Sequence, residues 1–226
     1  EVSGLRDCKA ILFDVDGTIF SSEEIIHEIY IEEFEKTRAL LGRPAHIPTR
    51  PEIIEQIGKP VPVIFANLAP DLSRPEQDEL SGRILEGLVT GIAAGRGHHY
   101  PGVTETVREL KKRGYDLFTA SNGRAPYVRS ILQAGGIFPE FKSIPTVGGT
   151  IQNKSELVAS ILKENLLMPA QAALIGDRAS DRDAAIENQV PFVAARFGHG
   201  TEEEWGGSVA RIDSIHELLD LFPSRN

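Results

Sequence analysis

Two pairs of acidic residues follow short apolar segments of this 226-residue sequence, and they are the residues best suited to do chemistry. Asp14 and Asp16 come directly after the first segment, and Gly17 follows them. Side chains two residues apart on an extended chain point to the same side, and a glycine lets the backbone turn sharply away. Asp177 and Asp181 follow a later apolar segment. A surface turn or a helix cap is the alternative for each pair.

Hydrogen-bonding side chains follow other predicted elements. Ser121, Asn122 and Gly123 come after an apolar segment and before a helix, an arrangement that suits phosphate binding. Lys154 begins a later helix, where the helix dipole disfavours a cation. Taken alone, Ser-Asn-Gly is more often a turn, and a lysine in this position is more often solvated. Whether these residues bind phosphate therefore depends on where the fold places them.

The order of the predicted elements indicates an α/β fold. Short apolar segments without alternation are typical of strands that are covered on both faces, and here they alternate with helical segments. This alternation predicts a doubly wound, Rossmann-like parallel sheet, in which ligands bind beyond the carboxyl ends of the strands. We assign residues 1–17 and 97–226 to this core domain.

Residues 18–96 have a different pattern, because from Ser21 to about Gly95 apolar residues recur at helical spacing and there is no convincing strand. A serine or threonine followed three residues later by a glutamate predicts three helix N-termini, each with a capping box. The three pairs are Ser21 with Glu24, Thr49 with Glu52, and Ser73 with Glu76. The segment is therefore expected to form an inserted, all-helical cap domain.

In a parallel sheet the acids at positions 14, 16, 177 and 181 would meet at one edge. Repulsion between carboxylates in a cleft amounts to roughly 4 kcal/mol per contacting pair at intermediate dielectric, which Lys154 alone cannot offset. An all-oxygen cluster without a nearby histidine or cysteine suits a hard divalent cation, and Mg²⁺ fits best.

The order of these residues resembles that of the haloacid dehalogenase superfamily, in its phosphoglycolate-phosphatase-like branch with a helical cap. The motifs that carry the resemblance, in the family's order, are Asp14-Val15-Asp16-Gly17-Thr18, Ser121-Asn122, Lys154, and Gly176-Asp177 with Asp181. The segment Phe197-Gly198-His199-Gly200 also resembles a glycine-rich segment of this branch. Together the motifs span nearly the whole chain.

The resemblance implies a role for each residue. Asp14 would be the nucleophile that forms an aspartyl-phosphate. Asp16 would protonate the leaving oxygen and later deprotonate the attacking water, which favours an alkoxide leaving group over a halide. Ser121, Asn122 and Lys154 would hold the phosphoryl oxygens.

The resemblance also implies how Mg²⁺ would be bound. The Asp14 carboxylate, the backbone carbonyl of Asp16 and Asp177 would hold the ion, with Asp181 behind them or reaching the ion through water. The metal would let an anionic nucleophile approach an anionic phosphate.

Gly58 and Lys59 end a predicted cap helix, in the loop through which such caps reach the substrate. Lys59 would pair with a second anionic group, and the alternative is a lysine that complements the helix dipole. The expected reaction is hydrolysis of a small phosphate ester, such as phosphoglycolate or a nucleoside monophosphate. Alternatives are a sugar-phosphate mutase, a phosphonate hydrolase in which Lys59 forms a Schiff base, a phospho-aspartate receiver and an inactive binding scaffold.

Composition limits the partners and the compartment. The 24 basic and 33 acidic residues give a net charge of −9, which disfavours binding to a nucleic acid backbone. No apolar run approaches the roughly 20 residues of a membrane span, and the N-terminus lacks the pattern of a signal peptide. The single cysteine, Cys8, excludes an internal disulfide and favours the cytoplasm. The sequence leaves the oligomeric state open.

Overall fold

A computed structural model describes residues 4–225 of the chain. The strands are β1 (Ala10–Phe13), β2 (Phe20–Ser21), β3 (His98–His99), β4 (Asp116–Thr119), β5 (Phe141–Ser143), β6 (Ala172–Gly176), β7 (Phe192–Ala195) and β8 (Ala210–Ile212). The helices are α1 (Glu23–Leu41), α2 (Arg50–Gln56), α3 (Val61–Leu68), α4 (Arg74–Ala93), α5 (Val103–Lys112), α6 (Ala125–Ala134), α7 (Lys154–Glu164), α8 (Ala179–Glu187) and α9 (Leu218–Leu221). Short 3₁₀ turns cover Phe138–Glu140, Pro169–Gln171 and Ile215–Glu217.

The main sheet has six strands in the order β5-β4-β1-β6-β7-β8, and all of its pairs are parallel. The strand β1 is central, and its last residue, Phe13, is in register with Thr119 of β4 and Ile175 of β6. The carboxyl ends of these three strands therefore meet at one edge. The observed architecture confirms the predicted doubly wound α/β fold.

Both faces of the sheet are covered, which explains why the strand sequences do not alternate. In β1, Ile11 and Phe13 pack in one apolar cluster, whereas Ala10 and Leu12 pack in the other. All four side chains are fully buried. A strand that is buried on both sides needs apolar residues at successive positions.

Helices α1 to α4 lie between β2 and β3 along the chain, and α4 packs against both α1 and α6. The capping boxes predicted at Thr49 and Ser73 are confirmed. The box predicted at Ser21 is wrong, because Ser22 is the N-cap residue and its hydroxyl donates to Asp16 instead of the helix. Helix α3 was not predicted, since it follows Pro60 without any polar capping side chain.

A two-stranded antiparallel ribbon joins the two ends of this helical segment. Phe20 pairs with His99 and Ser21 with His98, and the Phe20 ring meets the His99 ring edge-on at 5.2 Å. The prediction of no strand in this segment is therefore wrong at Ser21. Neither half of the ribbon has a strand-like sequence pattern, because only the distant pairing creates it. No helix in the described part of the chain is long and apolar enough to cross a membrane.

The stability of the sheet can be tested at Leu174, which is fully buried in β6. We expect Leu174→Ala to lower the free energy of unfolding by about 2–5 kcal/mol, because the substitution leaves a cavity. Leu40→Ala, at a position that is 74% exposed on α1, should change it by less than about 0.5 kcal/mol. Urea unfolding measures both, and equal small effects would contradict the assigned packing of β6.

Candidate active site

The loop after β1 and the loop after β6 approach so closely that only a glycine fits between them. Gly17 has a φ of +81°, and a Cβ atom there would lie 2.2 Å from Oδ2 of Asp177. This turn places Asp14 beside the second acidic pair. One carboxylate oxygen each from Asp14, Asp177 and Asp181 lies within 4.8 Å of the others, and all three residues are buried. Three of the four acids predicted to converge therefore do so, and the fourth, Asp16, is not part of this cluster.

Lys154 lies at the centre of this acidic cluster. Its Nζ atom donates to Oδ1 of Asp14 at 2.8 Å and to Oδ1 of Asp181 at 2.6 Å. Burial works against the charged form, but the two carboxylates outweigh it and raise the pKa of Lys154. The lysine is therefore a buried cation and not a solvated helix-terminal residue. The side chain of Asn153 accepts from the Glu156 N–H and caps α7, which fixes the helix start.

The three acids carry more negative charge than one lysine balances. Burial raises the pKa of Asp14, although Lys154 opposes the shift. Burial and the charges of Asp14 and Asp181 raise the pKa of Asp177 well above its usual value. Burial and Asp14 raise the pKa of Asp181 to about 6. Each pKa is raised because a further negative charge is unfavourable in this buried, already negative site. A divalent cation would reduce the repulsion between these carboxylates.

The hydrogen bonds of the acids show which carboxylate oxygens remain available to a metal ion. Oδ2 of Asp14 and Oδ1 of Asp177 are buried and find no hydrogen-bond partner within residues 4–225. Asp181 differs, since its Oδ1 accepts from Lys154 and its Oδ2 accepts from the backbone N–H groups of Asp177 and Arg178. Two unpartnered carboxylate oxygens in a buried site are suitable ligands for a hard cation. Asp14 and Asp177 thus fit as ligands, whereas Asp181 anchors the lysine and the loop.

The glycine-rich segment after β7 supports Asp177 from behind. The N–H of His199 donates to Oδ2 of Asp177 at 2.6 Å, and Nε1 of Trp205 donates to the Asp177 carbonyl at 2.8 Å. A Cβ atom at Gly200 would lie 1.7 Å from that carbonyl, and one at Gly198 would lie 2.4 Å from the Asp177 Cβ. The two glycines were expected from the family resemblance, whereas Trp205, the only tryptophan of the chain, was not predicted.

The Asp16 carboxylate has hydrogen-bond partners of its own. The hydroxyl of Tyr127 donates to Oδ1 of Asp16 at 2.6 Å, and that of Ser22 donates to the same oxygen at 2.8 Å. Burial raises the pKa of Asp16, while both hydrogen bonds oppose the shift. Because Oδ1 is occupied, Oδ2 is the oxygen left for a substrate. Neither Tyr127 nor the role of Ser22 was predicted. The only local signal for Tyr127 is its place among the apolar residues of α6.

The predicted phosphate-binding residues lie at the carboxyl end of β4. Ser121 is buried, and its Oγ accepts from the N–H of Gly123 at 2.9 Å. Asn122 donates from Nδ2 to the Gly58 carbonyl at 2.7 Å, while its buried Oδ1 has no partner in the described chain. The asparagine therefore joins the sheet edge to the loop that contains Gly58 and Lys59.

Lys59 lies along the cavity between this sheet edge and helices α1 to α4. Its Nζ atom lies 3.3 Å from Oε1 of Gln56 and 3.7 Å from Oε1 of Glu55. The same cavity is lined by Asp14, Asp16, Ser121 and Asn122. The structure thus brings the loop that contains Gly58 and Lys59 to the cavity that contains Asp14 and Asp16.

Comparison with known proteins identifies the family. The family model of the haloacid dehalogenase-like hydrolases matches residues 11–195. The chain belongs to this family. The match confirms the resemblance found in the motifs and makes the protein a hydrolase by family.

Similar proteins match the chain over most of its length. A phosphoglycolate phosphatase from Nitrosococcus oceani is 27% identical, over 96% of this chain and 98% of its own. Another from Pseudomonas savastanoi is 28% identical, over 93% of this chain and 78% of its own. CbbY from Rhodobacter sphaeroides, solved in complex with phosphate, has a TM-score of 0.80 at 24% identity, with 95% and 99% of the two chains covered. These structural likenesses concern the fold.

The charge balance of the site predicts that Mg²⁺ stabilises the protein in a pH-dependent way. The folded-state pKa values of the three acids lie above their unfolded values, so their ionisation destabilises the metal-free fold and protonation relieves this. We expect MgCl₂ to raise the melting temperature by about 5 °C near pH 7.5, and by less near pH 5.5, where protonation of the acidic cluster reduces the negative charge that the ion would neutralise. Scanning calorimetry at matched ionic strength measures both shifts. A shift of equal size in Asp177→Asn would contradict the assigned site.

Proposed function

We propose that the protein is a Mg²⁺-dependent phosphatase that hydrolyses a small phosphorylated metabolite through an aspartyl-phosphate intermediate. The observation that carries this proposal is the buried cluster of Asp14, Asp177 and Lys154, in which two carboxylate oxygens have no hydrogen-bond partner among residues 4–225. In this proposal the Asp14 and Asp177 carboxylates and the Asp16 carbonyl hold the ion. Bound Mg²⁺ would screen the charge of the phosphate from that of the nucleophile.

The nucleophile in this proposal is Asp14. Its carboxylate attacks phosphorus, the bond from phosphorus to the leaving oxygen breaks, and an aspartyl-phosphate forms. Lys154 supports this role because its hydrogen bond to Oδ1 fixes the carboxylate and keeps a positive charge beside the reaction. Asp181 supports it indirectly, since it holds the other side of the ammonium group.

Asp16 acts as acid and then as base in the same proposal. Its Oδ2 gives a proton to the leaving oxygen, and it later takes a proton from the water that attacks the aspartyl-phosphate. The hydroxyls of Tyr127 and Ser22 position it by occupying Oδ1. Burial raises the pKa of Tyr127 and thereby keeps its hydroxyl a donor.

We assign phosphoryl binding to Ser121, Asn122 and Lys154. Ser121 and Asn122 lie just beyond the end of β4. The Ser121 hydroxyl can donate a hydrogen bond, and the Asn122 amide keeps one N–H for a phosphoryl oxygen while its other N–H bonds the Gly58 carbonyl. Donors that are already ordered cost no reorganisation when charge develops on the phosphoryl oxygens.

We also propose that residues 18–96 act as a cap domain over a core of residues 1–17 and 97–226. The helical segment closes the cavity above Asp14, and Gly58 and Lys59 contribute its inner edge. Exclusion of bulk water would protect the aspartyl-phosphate and strengthen the charge interactions inside. The segment is connected to the core by the ribbon of β2 and β3, whose two ends lie side by side.

Relatives named phosphoglycolate phosphatase support phosphoglycolate, or a similar small ester, as the substrate. A nucleoside monophosphate is the second substrate class to test. The free, buried thiol of Cys8 agrees with a reducing compartment such as the cytoplasm.

The nucleophile can be tested with Asp14→Asn. We expect turnover of p-nitrophenyl phosphate and phosphoglycolate to fall by at least about 10³-fold, because an amide cannot form the acyl phosphate. Circular dichroism should show a retained fold.

EDTA should abolish turnover of the wild type, and added MgCl₂ should restore it. Persistent activity without metal would refute the role of the ion.

The positioning role of Tyr127 predicts a dependence on the leaving group. In Tyr127→Phe we expect kcat to fall about 10- to 100-fold for an alkyl phosphate, which needs a proton donor. The loss should be smaller for p-nitrophenyl phosphate, whose leaving group needs little protonation. A merely structural role would reduce both rates equally, so the ratio of the two kcat values decides the question.

A further inference from the structure

The lining of the cavity beneath helices α1 to α4 has a polar part and an apolar part. Asp14 and Asp16 belong to the polar part, where the reaction is proposed to occur. The wall contributed by the helical segment is mostly apolar, and it includes Ile26, Ile53, Ile64, Phe65, Ile84 and Leu88. In such a cavity the few polar groups determine which ligand is bound and how it is oriented.

Arg124 is one of these polar groups. It is the N-cap residue of α6, it is half-buried, and it lines the cavity. One guanidinium nitrogen, Nη2, donates to the backbone carbonyl of Ser81 on α4. No aspartate or glutamate of residues 4–225 pairs with it. Buried charges in proteins are normally paired, so an arginine with spare donors beside a cavity indicates a missing anion.

Tyr30 is the second unsatisfied polar group, and it comes from the opposite side of the cavity. It lies on α1 and is only 6% exposed, and its ring stacks on that of Phe65 with 5.9 Å between the ring centres. Its hydroxyl makes no hydrogen bond within the described chain, although it lines the same cavity. Burial raises the pKa of Tyr30, and the nearby charge of Arg124 opposes the shift. The hydroxyl therefore stays a donor, within electrostatic reach of the guanidinium.

The other cavity cation, Lys59, is already partly compensated. Gln56 accepts from its ammonium group, and Glu55 lies 3.7 Å from it. Arg124 has no such carboxylate, so it is the stronger candidate for an anionic partner.

We propose that Arg124 and Tyr30 form a subsite for a second anionic group, so that the preferred substrates are phosphate esters whose leaving group carries a carboxylate or a second phosphate. The inference rests on the proposed function, because it places the leaving group of the ester in this cavity. Arg124 belongs to the same loop as Ser121 and Asn122, so the second anion binds near the phosphoryl group. This favours a short leaving group and disfavours a nucleoside monophosphate, which has no second anion.

The test compares esters that differ in the second anion. Phosphoglycolate carries a carboxylate, propane-1,3-diol bisphosphate carries a second phosphate, and ethyl phosphate carries neither. In Arg124→Gln we expect kcat/KM to fall about 10- to 100-fold for the anionic ester that the site accepts. The loss for ethyl phosphate should be less than about threefold, and Tyr30→Phe should show the same selectivity with a smaller loss. Whichever anionic ester shows the selective loss identifies the group that the subsite binds.

Arg129→Gln is the matched control on the same helix. The Arg129 guanidinium lies 5.1 Å from the centre of the Phe138 ring and does not line the cavity. We expect this variant to retain the wild-type preference for the anionic ester. Equal losses for all three esters in Arg124→Gln, or no loss with either anionic ester, would overturn the subsite.

A binding measurement separates this proposal from the proposed function. Calorimetry with phosphoglycolate and with the bisphosphate, on Asp14→Asn in the presence of Mg²⁺, needs no turnover. We expect the additional Arg124→Gln substitution to weaken binding of one of them about 10-fold or more. Unchanged binding of both anionic esters refutes the subsite, even if the enzyme is active. A wild type that hydrolyses none of the esters refutes the proposed function. In that case weakened binding in the double variant still supports the subsite.

Discussion

The burial of several like charges at one edge of the sheet is the constraint on which the rest of the structure depends. Lys154 bridges Asp14 and Asp181 inside the protein, where all three side chains are almost inaccessible. An isolated buried charge would cost several kcal/mol or change its protonation, so these residues are stable only together. The bridge connects β1, α7 and α8, and it therefore fixes three separate parts of the chain at the site.

The close packing around Asp177 follows from the same constraint. Its carboxylate can approach Asp14 only because Gly17 and Gly198 leave room for it, and Gly200 leaves room for its carbonyl. Trp205 then closes the rear of the loop with a hydrogen bond to that carbonyl. The glycines in these loops are thus required by contact distances to one carboxylate and its backbone, and not only by turn geometry.

The site and the helical segment are joined through polar contacts on residues that the proposed reaction uses. Ser22, at the start of α1, bonds Asp16, and the Gly58 carbonyl accepts from Asn122. Arg178, beside Asp177, donates to the carbonyl of Ile57. Any movement of the helical segment relative to the sheet would break these contacts, so the position of the segment and the orientation of Asp16 are coupled.

The sequence by itself determined the fold class and the set of acids. Unbroken apolar strands, alternating helices and Asp-x-Asp-Gly after the first strand are local signals, and a parallel sheet has only one edge where the carboxyl ends of its strands meet. Two of the three capping boxes were also readable, because a capping box is formed within four residues.

Only the tertiary structure decided the partners of those residues. Tyr127 bonds Asp16 from 111 positions away, and Lys154 bonds Asp14 from 140 positions away. The ribbon of β2 and β3 likewise exists through pairing between the two ends of the helical segment. Such contacts leave no periodic pattern in the sequence. A tyrosine in an apolar helix face, or a lysine at a helix start, has the same kind of sequence neighbours whether it is solvated, packed or catalytic. Arg124 and Tyr30 show the same limit, because their unsatisfied donors are evident only once the cavity that surrounds them is formed.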